Sequence, residues 1–130
     1  TIFGDGEQTR AFSFVDDTLE PLWKAGLQDN CSKEIINLGG TIFYTINEAN
    51  EILRNVIGEG DKIHLEQRHE AKNAHPTWKK SEKLLSYKDR TSLHDGLTAM
   101  WEWAQTQPNR DRFVWEEYEL TKGIYDFWKK

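Results

Sequence analysis

Residues 2–17 have the sequence IFGDGEQTRAFSFVDD, which places a glycine-rich turn between two stretches with the composition of β-strands. Thr1–Phe3 is short and β-prone, and Ala11–Val15 predicts a second strand in which alternate phenylalanines share one face. The turn Gly4–Gln8 contains two glycines, which accept a positive φ. Arg10 therefore lies between a turn and an aromatic strand, where a guanidinium can project into a cleft.

The rest of the chain predicts an alternation of helices and short strands. Asp17 is expected to cap a helix whose apolar stripe consists of Leu19, Leu22, Trp23 and Leu27. The later predicted elements are a strand over Glu34–Leu38 covered on both faces, a helix begun by a Thr45/Glu48 capping box, an edge strand over Lys62–Gln67, a helix from Pro76 or Thr77, a helix capped by Ser92 with Asp95, and an aromatic tail from Arg112 that could form one more helix. This order predicts a mixed α/β fold with several helices near its C-terminal end.

Composition excludes several classes of protein. The 130 residues suffice for one ordinary domain, and six Trp, four Tyr and six Phe argue against disorder. No apolar run approaches the roughly 20 residues of a transmembrane helix. The net charge of −5 disfavours a nucleic-acid partner, which requires a concentrated basic face. The single cysteine, Cys31, permits no intrachain disulfide and favours a cytoplasmic location.

Three short patterns do not support the chemistry that they superficially suggest. Gly4-x-Gly6-x-x-Thr9 lacks the third glycine of a dinucleotide fingerprint, and a strand rather than a helix is expected to follow it. No Gly-x-Ser-x-Gly elbow supports a hydrolase. The spacing of His64, Glu66, His69, Glu70 and His75 fits no common metal site, so no metal is expected.

Arg10 and Arg68 lie in separate segments, each beside a turn. Two guanidinium groups that converge on one site would suit a pyrophosphate, because each planar fork can donate two charge-assisted hydrogen bonds to phosphate oxygens. If residues 63–70 are extended, Arg68 shares a face with several carboxylates, and an ordinary solvated ion pair is the alternative interpretation.

The segment 2–17 resembles the pattern (Tyr/Phe)-Gly-x-Gly-x-Gln-x-Arg-x-Phe-x-(Tyr/Phe)-Val-x-Asp of the NAD-dependent epimerase/dehydratases, the extended short-chain dehydrogenase/reductases that act on nucleotide sugars. Five further matches follow in the family's order: Ile36-Asn37-Leu38-Gly39, Thr45-Ile46-Asn47-Glu48, Arg68-His69-Glu70, Lys80 with Leu84-Leu85-Ser86-Tyr87, and Ser92-Leu93-x-x-Gly96-Leu97. The resemblance covers roughly residues 1–107.

The resemblance implies the C-terminal, substrate-binding part of such an enzyme. Residues 1–107 would form the nucleotide-sugar-binding region, with short strands, four to five helices and an incomplete Rossmann sheet, and residues 108–130 a helical tail. The family's Gly-x-x-Gly-x-x-Gly and its catalytic Tyr-x-x-x-Lys do not occur in the expected places, and Tyr118-x-x-x-Lys122 is interpreted as a coincidence. The parent enzyme is therefore expected to bind NAD(P) mainly through an absent N-terminal region, with no cofactor and no catalytic residue in this chain.

The resemblance also assigns binding residues. Arg10 and Arg68 would bind the diphosphate of the substrate, Glu70 would accept a hydrogen bond from a ribose hydroxyl, and Phe3 would lie beside the nucleotide base. Arg68 and Glu70 are two positions apart, where the family's usual spacing is three, and this departure weakens the assignment of Glu70 most.

Two alternatives to an enzyme fragment stay open at this point. The chain could be a non-catalytic truncated module for binding or assembly, or one chain of a split enzyme whose Rossmann half is encoded separately. In every case the chain by itself is expected to lack epimerase or dehydratase activity. Unpaired strand edges and uncovered apolar helix faces further predict a dimer or a higher oligomer.

Overall fold

The computed structural model describes residues 1–110 and has the mixed α/β architecture that the sequence predicts. In chain order, the elements are β1 (Ile2–Phe3), β2 (Thr9–Ala11), α1 (Val15–Leu27), a 3₁₀ turn (Asp29–Cys31), β3 (Phe43–Thr45), α2 (Ile46–Ile57), β4 (His64–Leu65), β5 (Asn73–Ala74), α3 (Lys79–Leu85) and α4 (Leu93–Gln105). The predicted helix in the tail from Arg112, with its Tyr118 and Lys122, lies outside the described residues.

Two small sheets join the first eleven residues to the segment around residues 64–74. In one sheet β1 and β4 run parallel, with Ile2 opposite His64. In the other, β2 lies between β3, which is antiparallel to it, and β5, which is parallel to it. Arg10 is consequently the central residue of the middle strand, opposite Tyr44 on one side and Ala74 on the other. This topology brings together the two segments that carry the predicted binding residues.

Local sequence determines the starts of α2 and α4 as predicted. At α2 the Glu48 amide donates to Thr45 Oγ1 at 3.0 Å and the Thr45 amide donates to Glu48 Oε2 at 2.7 Å, which completes the capping box. The helix ends at Gly58, whose φ of 83° is the left-handed conformation that glycine adopts without strain. At α4 the Ser92 hydroxyl accepts a hydrogen bond from the Asp95 amide.

The predicted role of Asp17 is wrong. The residue that precedes α1 is Phe14, which makes no side-chain capping bond, and Asp17 lies inside the first turn of the helix. Its carboxylate instead accepts hydrogen bonds from the amides of Arg90 and Thr91, at 2.9 and 2.8 Å. Burial raises the pKa of Asp17, but these amide bonds outweigh it and hold the pKa below its usual value. Asp17 thus fastens the linker between α3 and α4 to α1.

The predicted strands are only partly correct. The second strand covers Thr9–Ala11 rather than Ala11–Val15, because neither β3 nor β5 pairs with it beyond Ala11. Glu34–Leu38 is not a strand, and Ile35 is 85% exposed. A strand of a parallel sheet needs partners beside it and covering layers on its faces, and none of the described strands pairs with this segment. The short strands β3 and β5 carry no hydrophobic alternation and are not among the predicted elements.

The apolar stripe of α1 is not covered by any part of residues 1–110. Trp23 is 71% exposed, and Leu19, Leu22 and Leu27 are each more than half exposed. The buried core lies elsewhere and includes Ile2, Cys31, Leu85 and Tyr87. A helix with this pattern normally buries its stripe, so the α1 stripe is a surface with the character of an interface.

Candidate functional site

A rigid turn leads into the strand that carries Arg10. The amides of Ile46 and Asn47, in the first turn of α2, donate to the carbonyls of Gln8 and Gly6, each at 3.1 Å. The Asn47 side-chain amide also donates to the Asp5 carbonyl at 2.9 Å and to the Glu7 carboxylate at 2.7 Å. The capped end of α2 therefore holds the Gly4–Gln8 turn in place.

Replacing Gly6 with Ala should lower the free energy of unfolding by about 2 kcal/mol. Gly6 has a φ of 78°, and a Cβ there would overlap the Asn47 side chain, which could move only by giving up its bonds to the turn. Gly26→Ala is the matched control, because it adds the same methyl group inside α1 with nothing within 4 Å and should stabilise the chain by about 1 kcal/mol. Urea titrations of both variants measure this difference, and equal midpoints would contradict the expectation.

Arg10 spans the gap between β2 and the segment that precedes β5. Its Nη1 donates to the Thr9 carbonyl at 2.7 Å and to the Lys72 carbonyl at 3.4 Å. Its Nη2 donates to Glu70 Oε2 at 2.9 Å and forms an ion pair with it. The Arg10 side chain is 24% exposed and that of Glu70 is 37% exposed. The guanidinium is thus fixed by backbone carbonyls while it remains accessible from solvent.

Gln8 links Phe3 to this pair. Its Nε2 donates to the Phe3 carbonyl at 2.9 Å and to Glu70 Oε1 at 3.1 Å. Both carboxylate oxygens of Glu70 therefore have a donor, one from Gln8 and one from Arg10. Gln8 is not among the residues predicted from the sequence, although the Gln-x-Arg spacing in the first motif is the signal that could have identified it.

Arg68 lies against the face of Phe3. The guanidinium carbon of Arg68 is 3.2 Å from the centroid of the Phe3 ring, which is the geometry of a cation–π contact. The contact places Arg68 beside β1.

A small cleft with a volume of about 130 Å³ lies beside these contacts. Its lining consists of Phe3, Gly4, Asp5, Gln8, Gln67, Glu70 and Lys72. Phe3 and Glu70 face the cleft directly, and each of the two arginines contacts one of them. The structure therefore places Phe3 and Glu70 in the lining of the cleft together with Lys72, while Arg10 and Arg68 lie behind that lining, each against one of the two.

Two larger cavities do not include any of the four predicted residues. A polar cavity of about 260 Å³ lies between α1 and the segment after α3, beside Asp17 and Tyr87. An apolar groove of about 270 Å³ lies between Phe12, Phe14 and the first turns of α4. The lining of the polar cavity combines Lys24, Lys88 and Arg90 with the carboxylates Asp16, Asp17 and Glu20, and the lining of the apolar groove carries no charged side chain.

Within residues 1–110, no group of three or more His, Cys, Asp and Glu side chains is placed to hold a metal ion. None of the helices described over this range is both long enough and apolar enough to cross a membrane.

Sequence comparison finds nucleotide-sugar enzymes. The chain is 36% identical over 131 residues to a UDP-glucuronate 4-epimerase from Thermodesulfobacterium geofontis, a match that covers 95% of this chain and 35% of that protein. It is 32% identical over 103 residues to UDP-glucuronic acid decarboxylase 1 from Arabidopsis thaliana, covering 77% of this chain and 23% of that protein. No family model matches the sequence. The chain thus spans about a third, or less, of the length of these curated relatives.

Structural comparison agrees with the sequence matches. The fold superposes on UDP-glucuronic acid 4-epimerase from Bacillus cereus in complex with UDP-glucuronic acid and NAD, with a TM-score of 0.72 and 33% identity. That superposition covers 80% of this chain and 34% of the epimerase. An epimerase from Methanothermobacter thermautotrophicus superposes with a TM-score of 0.69 at 27% identity. The chain therefore belongs to the NAD-dependent epimerase/dehydratase family, of whose matched members it spans about a third.

Proposed function

We propose that this chain is the C-terminal, nucleotide-sugar-binding part of an NAD-dependent epimerase or dehydratase. The observation that carries the proposal is a small cleft lined by Phe3 and Glu70, with Arg68 against the Phe3 ring and Arg10 paired with Glu70. Relatives that act on UDP-sugars support it, since the chain is 36% identical to a UDP-glucuronate 4-epimerase.

In the proposed complex, the two arginines hold the diphosphate. Arg10 is anchored through Nη1, so Nη2 can exchange the Glu70 carboxylate for a phosphate oxygen. Arg68 would approach from the side of Phe3 and neutralise the second phosphate. Two guanidinium groups that hold the diphosphate would orient the sugar for a reaction elsewhere in the enzyme, and such positioning lowers the barrier of the chemical step. Glu70 would then accept from a ribose hydroxyl, while Phe3 lies beside the base.

The rest of the enzyme would hold NAD, which supplies the hydride chemistry of this family. The glycine-rich turn of this chain does not fit a dinucleotide, because it leads into β2 and directs no helix N-terminus at a pyrophosphate. The chain also lacks the Gly-x-x-Gly-x-x-Gly pattern. We therefore assign substrate binding to this chain, and cofactor binding and proton transfer to the remaining two thirds.

The exposed apolar stripe of α1 is the surface through which this chain would contact the remaining two thirds of the enzyme. Leu19, Leu22, Trp23 and Leu27 form a continuous apolar surface in residues 1–110. The length of the relatives leaves room for a partner region about twice the size of this chain. Covering the stripe would complete a hydrophobic core that residues 1–110 leave open.

A chimera tests the proposal: this chain replaces the matching third of the Thermodesulfobacterium geofontis epimerase. We expect the chimera to bind UDP and to convert UDP-glucuronate, while the 130-residue chain alone shows no NAD-dependent turnover. The same epimerase lacking its matching third is the control and should not bind UDP. A folded chimera that does not bind UDP, or turnover by the chain alone, would contradict the proposal.

A further inference from the structure

We propose that Glu70 is a specificity-determining residue that makes the cleft reject inorganic diphosphate. Its carboxylate pairs with Arg10 Nη2 at 2.9 Å, so a diphosphate that binds Nη2 must displace it. The displacement is favourable only for a ligand that also brings hydroxyl donors to the freed carboxylate, as a nucleoside diphosphate does. This inference rests on the proposed function, because it concerns the same cleft.

The guanidinium of Arg10 is held in place through Nη1, and a phosphate would have to compete with Glu70 for Nη2. Two backbone carbonyls, from Thr9 and Lys72, accept from Nη1 and hold the guanidinium in position independently of Glu70. Nη2 is directed at Glu70 Oε2, 2.9 Å away. A phosphate oxygen that binds Nη2 must therefore take the place of that carboxylate oxygen.

Glu70 is a partly exposed anion whose carboxylate is held by two side chains. Gln8 donates to its Oε1 at 3.1 Å, and Gln8 is itself anchored through the Phe3 carbonyl. A diphosphate at Arg10 would lie within a few Å of this carboxylate, and two like charges at that distance repel. The carboxylate would have to move, and it would lose its strongest donor.

The chemistry of the ligand decides whether the Glu70 carboxylate gains a new hydrogen-bond donor in place of Arg10. Inorganic pyrophosphate in its charged form presents oxygens that mainly accept hydrogen bonds, so it has little to offer the freed carboxylate. A nucleoside diphosphate carries ribose hydroxyls, which donate to carboxylates. Glu70 thus favours ligands that combine a diphosphate with a diol over ligands with a diphosphate alone, which is specificity by penalising the wrong ligand.

Titrations of the 130-residue chain with inorganic pyrophosphate and with UDP, followed by NMR chemical shifts, test this role. Wild type should bind UDP more tightly than pyrophosphate. Glu70→Gln should bind pyrophosphate about five-fold more tightly than wild type, because it removes an ion pair and a like charge from the phosphate position. It should not gain affinity for UDP. Glu66→Gln removes the same charge from an exposed neighbour and should change neither affinity.

The gain should also depend on Arg10, so the double variant Arg10→Ala/Glu70→Gln should lose it. The proposal is overturned if Glu70→Gln leaves pyrophosphate affinity unchanged, lowers it, or raises it no more than Glu66→Gln does. Failure of the proposed function has a different signature, because it appears as an absence of UDP binding by the wild-type chimera, whatever the pyrophosphate titrations show.

Discussion

Replacing Arg10 with Ala in the chimera should weaken UDP binding by about ten- to a hundred-fold. Each charge-assisted hydrogen bond to a phosphate contributes about 1.5–3 kcal/mol, and a factor of ten corresponds to about 1.4 kcal/mol. Arg10→Lys should cost part of this, because the ammonium keeps the charge and loses the planar fork. The affinity for NAD should barely change, since the proposal places NAD in the other part of the enzyme. Isothermal titration with UDP and with NAD measures both quantities.

The matched control for Arg10 is Arg54 on α2. Arg54→Ala removes the same charge and also breaks a hydrogen bond to a backbone carbonyl, that of Gly60, but the partners of Arg54, Glu51 and Gly60, do not line the cleft. Its UDP affinity should equal that of the unchanged chimera. A thermal scan checks that Arg10→Ala still folds, because this variant also loses the bonds to Thr9 and Lys72. Equal losses at both positions would show that overall charge, and not the cleft, controls binding.

Arg68→Ala should weaken UDP binding by a similar factor, through the second phosphate. It also uncovers the Phe3 ring, which Arg68 contacts. Arg68→Gln keeps part of the side chain over the ring and removes the charge, so it separates the two contributions.

Sequence predicts the features of this fold that depend on a few neighbouring residues. The Thr45/Glu48 capping box and the Ser92 cap both form as predicted, because each needs only the local chain. The strand over Glu34–Leu38 is predicted wrongly, because a buried parallel strand depends on partners that residues 1–110 do not provide. Consecutive apolar residues indicate burial, but they do not say which part of a protein supplies the covering layer.

Motifs in the sequence name Phe3 and Glu70, which line the cleft, and the two arginines that contact them, but they do not reveal these contacts. Arg10, Arg68, Glu70 and Phe3 come from motifs, and the sheets bring them together. The ion pair between Arg10 and Glu70 joins residues 60 positions apart, and the stacking of Arg68 on Phe3 joins residues 65 positions apart. Such pairings follow from strand register, which motif spacing does not reveal. The hydrogen bonds that Gln8 donates to Phe3 and Glu70 likewise depend on strand register and are not evident from the motif.

The second large effect concerns the α1 stripe. We expect the 130-residue chain to form a dimer or a higher oligomer through this stripe, because Leu19, Leu22, Trp23 and Leu27 are each 55–71% exposed. Fully burying one such side chain contributes about 1.5–3 kcal/mol, so four of them on each chain can support a stable contact. Sedimentation velocity over a range of concentrations should detect the association.

The double variant Leu19→Glu/Trp23→Glu should raise the dissociation constant of that oligomer by about a hundred-fold or more. It removes two apolar side chains from the contact and places two carboxylates there, and a loss of roughly 3 kcal/mol already corresponds to a factor above one hundred. Both positions lie on the surface of the helix, so the variant should keep its circular dichroism spectrum.

Charge by itself also opposes association, because the chain already carries a net charge of −5. The control is therefore Met100→Glu/Trp103→Glu, which adds two carboxylates to another exposed apolar surface, on α4, where the two side chains are 58% and 63% exposed. If the α1 stripe is the contact, this control should associate nearly as well as wild type. If both double variants dissociate equally, net charge explains the effect and α1 is not the interface. A wild-type chain that stays monomeric at high concentration would contradict the prediction, because an apolar stripe of this size would then be stable in water without a partner.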